Sequence, residues 1–198
     1  MRARRRRLIV VRQRQARRDR MASVYPNRAG AFTTLSNPSD WRHRNMHIGI
    51  LTAPFVREPL EYVFQFAAKH GFKTLELACG YGHPHLNLEQ PDIDTLKRLM
   101  ERYGVGLSAI AFYTNNTHPD PQERQRNNEG VRRAIDIAHA LGVSVVCTLA
   151  GHPVPGKSKM QTIEEDGAQV FPPLTEYAGE REVQIALENW FATNIQAL

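Results

Sequence analysis

Three glycines, Gly71, Gly104 and Gly142, each close an amphipathic stretch, and they stand 33 and 38 residues apart. A recurrence of this length accommodates one strand, one helix and two short connections, so it constrains the fold more than any single motif. In PLEYVFQFAAKHG (59–71), Leu60, Val63, Phe64, Ala67 and Ala68 keep helical spacing, Pro59 suits the first turn and Gly71 the C-terminal cap. DIDTLKRLMERYG (92–104) repeats the pattern, with Asp92 as cap and Ile93, Leu96, Leu99, Met100 and Tyr103 on one side. A third copy begins at Asp120-Pro121 with Glu123, carries Val131, Ala134, Ile135, Ala138 and Leu141, and ends at Gly142. The apolar runs HIGILT (47–52), FKTLELA (72–78), VGLSAIAF (105–112) and VSVVCTL (143–149) read as strands, and VQIALE (183–188) as a fifth. Before that fifth run, Thr162 with Glu165 resembles a capping box, and Gly167 with Pro172-Pro173 predicts a kink or break near 171.

The third and fourth strands are nearly continuous apolar runs, as expected of parallel strands buried on both faces and joined through helices. The class is α/β. Periodicity alone allows both an open doubly wound sheet and a (β/α)8 barrel. The segment after the first strand, TAPFVREP, lacks the GxGxxG spacing that lets backbone amides approach a pyrophosphate, and no GxxxxGK[ST] occurs.

The net charge of +6 is misleading because it is unevenly spread. Residues 1–45 contain 13 Arg and only two acidic residues, Asp19 and Asp40, a net of +11, so the rest carries 13 basic against 18 acidic residues, a net of −5. The longest apolar run in the leading stretch is LIVV. A secretory signal needs about 7 to 15 apolar residues and a spanning helix about 20. Residues 1–45 therefore read as a disordered, Arg-rich leader, with Met21 and Met46 as later starts, and membrane partners are not expected. Cys79 and Cys147 belong to no CxxC pair, and the expected setting is the reducing cytoplasm.

In either α/β architecture the chemistry lies beyond the C-terminal ends of the strands. The loops there are long and polar: CGYGHPHLNLEQP (79–91), YTNNTHPDP (113–121) and AGHPVPGKSKM (150–160). Each contains a His-Pro pair, at His83, His118 and His152, and His85 adds a fourth imidazole. Imidazoles on adjacent strand ends can converge on substrate hydroxyls or a metal, or simply serve their own loops. Glu76, inside the second strand, must be paired or face a polar mouth, since an unpaired buried charge costs several kcal/mol. Glu188 ends the fifth strand on the same rim, where a metal, a cationic partner or solvent must hold it. Cys147 reads as a packing residue.

The segments MHIGILTAPF, GFKTLELACGYGH, GVGLSAIAFYTNN, ALGVSVVCTLAG and VQIALENW, in this order and spacing, resemble the sugar phosphate isomerase/epimerase family of xylose isomerase-like barrels. The likeness covers residues 46–198. It implies a (β/α)8 barrel with a divalent ion (manganese, magnesium, cobalt or zinc), a sugar substrate, and proton abstraction beside a carbonyl. Glu188 matches the family's fifth-strand metal ligand and acid/base; Glu76, His83, His118 and His152 are the candidate substrate contacts. A full barrel takes about 250 residues, so residues 46–198 are expected to form its N-terminal part, a partial barrel of about five strands. Glu188 would then be a first metal ligand without a complete shell, and the open sheet edges would favour self-association. Two other readings are an endonuclease IV-like DNA repair relative and a non-catalytic half-barrel binding protein. The acidic barrel and the absence of basic residues in loops 79–91 and 113–121 argue against nucleic acid.

Overall fold

Five strands pair in parallel in their sequence order, which is the order of staves in a barrel; a doubly wound sheet would reverse at a switch point. They are β1 (Gly49–Leu51), β2 (Thr74–Ala78), β3 (Gly106–Ala111), β4 (Val145–Leu149) and β5 (Gln184–Glu188). The coordinates are a computed structural model that describes residues 47–195; the Arg-rich leader assigned to 1–45 lies outside the described residues. Helices α1 (Leu60–Lys69), α2 (Ile93–Tyr103), α3 (Pro121–Leu141) and α4 (Ala168–Gly179) connect successive strands. The result is a partial TIM-barrel of five strands, with β1 and β5 at its two edges.

The helix boundaries follow local chemistry. Asp92 accepts from Thr95 N at 2.9 Å, and Asp120 accepts from Gln122 N at 2.8 Å and Glu123 N at 3.1 Å, satisfying amides that the first turn leaves free. At the other ends Gly104 and Gly142 adopt left-handed φ values of 62° and 69°, which a side chain would make costly. The fourth unit departs from expectation. The capping box is formed by Ser158 and Gln161, around a single helical turn Lys159–Gln161, and not by Thr162 and Glu165. A π-helical stretch, Thr162–Gly167, follows. The irregularity therefore lies before α4, which runs without interruption through Pro172 and Pro173.

Register divides the sheet into two unlike faces. Leu77, Ile110, Val146 and Ile185 stand side by side across β2 to β5. Leu77, Ile110 and Val146 have no exposure and pack on Leu96 of α2, Val131, Ala134 and Ile135 of α3, and Leu174 of α4. A second cluster seats Val63, Phe64 and Ala67 of α1 on Leu75. The next row, Ala78, Ala111, Cys147 and Ala186, faces the inside of the arc. Here β4 differs from the expectation of burial on both faces: Val145 and Cys147 are half-buried, while Val146 and Thr148 are buried. Leu149 is buried again, and in β3 Ala109, Ile110 and Ala111 are all buried as expected, so the alternation is confined to 145–148 of β4.

Candidate active site

The inner face carries the polar groups of the mouth. Glu76 stands beside Leu51 of β1 and Ala109 of β3. Tyr113 follows Ala109 and Ala111 in the same alternation, just past the end of β3, and its hydroxyl donates to Glu76 Oε1. Burial, the bond to Glu76, and the charges of Glu76 and Glu188 all hold the Tyr113 phenol well above its ordinary pKa. Burial, reinforced by the same two carboxylates, pushes the Cys147 thiol up to about 11. Side chains from β2, the end of β3, β4 and β5 therefore converge, and Glu188 and Glu76 act on one phenol. Among the described residues ion pairs lie elsewhere, as at Glu61–Arg102, at Lys157 with Asp166 and Glu165, and at Arg181 with Asp136 and Glu180.

The phenol has a single hydrogen, which it gives to Glu76. Glu188, exposed at the tip of β5, remains an acceptor at the mouth. Glu76 is half-buried and already engaged. The arrangement sets two carboxylates around one phenol, Glu76 taking its hydrogen and Glu188 within hydrogen-bonding reach of the same hydroxyl. Tyr113 and Cys147 were not singled out from sequence as site residues. Their signal was the period of two that places Tyr113 in phase with Ala109 and Ala111, and Cys147 in phase with Leu149, the neighbour of Glu188.

The three His-Pro histidines are placed differently. His83 Nδ1 accepts from the amide of His85 at 3.1 Å, and His118 Nδ1 accepts from that of Asp120 at 3.2 Å. The two loops thus share one local device, in which the intervening proline has no N–H and the ring receives the next amide. Burial first, and then the neighbouring His85, lower the His83 pKa. His85 is itself buried and donates through Nε2 to Glu58 O at 3.0 Å. His152 donates from Nδ1 to Ala192 O at 3.1 Å, joining the loop after β4 to the segment after β5. His83 and His118 serve their own rim loops, whereas His85 and His152 tie theirs to a neighbouring segment; Glu76 and Glu188 are the site residues that the structure brings together.

Between those loops lies a buried polar cluster. Asn116 donates to Thr148 Oγ1 at 2.9 Å and Leu149 O at 2.7 Å, and Thr148 donates to Phe112 O at 2.8 Å. Thr117 donates to His152 O at 2.9 Å. Gly151, at φ +83°, fits against it so closely that a Cβ would come within 2.2 Å of Thr117 Oγ1.

A divalent ion, as the resemblance implies, needs three or more protein ligands held together. Among the described residues no three His, Cys, Asp or Glu side chains are grouped to hold one. The mouth supplies two carboxylates, one of them bound to a phenol, so the described residues do not by themselves fit a complete metal site.

The parallel arc and its mouth define a member of the TIM-barrel class. Residues 64–197 match the family described as xylose isomerase-like TIM barrel, and the chain belongs to that family. L-ribulose 3-epimerase of Methylomonas sp. (strain DH-1) is 29% identical over 142 residues, covering 65% of this chain and 46% of that protein. Among solved structures, D-allulose 3-epimerase from Methylomonas sp. in complex with D-allulose is similar with a TM-score of 0.59 at 21% identity, covering 76% of this chain and 53% of that one. The IOLI protein with a binding zinc atom gives a TM-score of 0.62 at 18% identity, over 76% of this chain and 54% of its own. These structural likenesses establish the fold. The chain spans about half the length of the relatives it matches. Among the described residues no helix is long and apolar enough to cross a membrane.

Proposed function

We propose that this chain belongs to a ketose epimerase, acting on a free sugar of the kind handled by its L-ribulose and D-allulose 3-epimerase relatives. The observation that carries the reading is the meeting of Glu188, Tyr113 and Glu76 at the inner rim of the arc. Epimerisation beside a ketone requires a group that removes a proton from the neighbouring carbon and a setting in which the proton returns to the other face. Glu188 is the acceptor for that proton. Glu76 keeps the Tyr113 hydroxyl oriented, and the phenol oxygen is then available to a sugar hydroxyl. His83, His118 and His152 shape the rim loops that border the sugar. The part of the chain that forms this arc is taken to be 46–198, apart from the Arg-rich stretch 1–45.

A divalent ion bound in this family would supply polarisation of the carbonyl. Glu188 occupies the position of a family ligand, but the other donors needed are not among the described residues. A test that does not depend on full turnover is solvent exchange. Incubating the chain with D-allulose or D-fructose in heavy water is expected to place deuterium at the carbon beside the carbonyl, as read by NMR. Glu188→Gln should abolish the exchange and Tyr113→Phe should slow it about tenfold, an effect of the order of one bond made in the transition state. Equal exchange in the parent chain and Glu188→Gln, or none in the parent, overturns the reading.

A further inference from the structure

Glu188 lies at the end of an edge strand that is exposed or half-buried along its whole length; the β4 ladder fixes its backbone opposite Leu149, and little packing fixes its exposed side chain. Six residues later the chain changes character. Trp190 and Phe191 are 47% and 67% exposed, whereas Asn194 is only 4% exposed. Its amide donates to Gly151 O at 2.9 Å, and its side-chain nitrogen lies 3.1 Å from Ala150 O, 3.3 Å from His152 O and 3.2 Å from Thr117 Oγ1. These partners belong to the loops after β3 and β4. Thr117, itself fully buried, passes its own hydrogen to His152 O, and His152 returns a bond to Ala192 O. The segment after β5 is thereby tied to both neighbouring loops by one side chain.

We propose that Asn194 is a positioning residue that sets where the Glu188 carboxylate stands in the mouth, by clamping the segment after β5 to the loops after β3 and β4. The chemistry requires an amide. All three side-chain partners are oxygens, so a donor is needed, and a carboxylate in its place would face carbonyl oxygens with no hydrogen to offer. Alanine would leave the Ala150 and His152 carbonyls without this donor in a buried place. The left-handed Gly151 and its tight approach to Thr117 form the other jaw. This inference rests on the role proposed for Glu188, but its test reads the location of that charge and not turnover.

The test is a double-mutant cycle on the full chain at fixed pH, with iodoacetamide alkylation of Cys147 as the reporter and Cys79 replaced by alanine throughout. With Asn194 intact, Glu188→Gln removes a negative charge that raises the thiol and should speed alkylation several-fold. In an Asn194→Asp background the same Glu188→Gln change should make no difference, because the carboxylate has already moved off. Asn194→Ser, a shorter donor, should restore part of the effect, and Asn194→Ala, which removes the donor, serves in place of Asn194→Asp if that variant does not fold. An equal acceleration by Glu188→Gln with and without the clamp overturns the proposal while leaving the chemistry proposed for Glu188 intact. If Glu188→Gln has no effect even with Asn194 in place, the reporter geometry is wrong and the proposal falls with it.

Discussion

The two faces of the same five strands obey different rules. On the outer face Leu75, Leu77, Ile110 and Val146 have no exposure and interdigitate with helices, so identity there is set by volume. On the inner face Glu76 and Cys147 are half-buried and Glu188 is exposed, so identity is set by charge and hydrogen bonding. A single residue step along a strand moves a side chain from one regime to the other. Stability and chemistry are thus separable by parity.

Substitutions sharpen that contrast in order of size. Leu77→Ala empties a fully packed outer position and should cost about 2–5 kcal/mol in denaturant unfolding; a loss comparable to that of an inner-face change would break the division into two faces. Gly151→Ala comes next. It places a methyl against Thr117 at a left-handed φ, and should cost about 1–3 kcal/mol, with the loss in hydrogen-exchange protection concentrated in the loops after β3 and β4. Glu76→Gln should change stability least but alter reactivity clearly. Because the thiol of Cys147 is raised to about 11 by burial and by the negative charges of Glu76 and Glu188, its alkylation rate should keep climbing well past the pH at which a free cysteine levels off. Neutralising Glu76 favours the thiolate, so the plateau should move to lower pH. A rate profile identical in the parent chain and Glu76→Gln would show that the inner face is not electrostatically coupled.

The histidines illustrate where sequence reading stops. The recurrence of His-Pro in three loops was plain, but in two of them its cause is a bond to the amide two residues on, a local solution that looks the same in sequence as a ligand. The carboxylates were legible because Glu76 and Glu188 interrupt apolar runs. Tyr113 and Cys147 were not, since a phenol at a loop start and a cysteine in a strand have many uses. The π-helical stretch before α4 was also hidden: the sequence marks an irregularity through Gly167 and two prolines, but where the helix yields depends on how α4 packs against α3 through Val170 and Leu174.

Local patterns alone determined the number and order of the strands and of the four main helices between them, because helix period, Asp caps and closing glycines act within a few residues of one another. They determined too that charged residues would stand at strand ends. Only the tertiary structure decided that Glu76, Tyr113, Cys147 and Glu188 share one mouth, and that the rim histidines bond to backbone of the rim instead, His83 and His118 within their own loops and His152 across to the segment after β5. Parallel register joins strands some thirty residues apart, and it is set by the packing of whole helices on the outer face, a long-range balance that no short stretch of sequence contains.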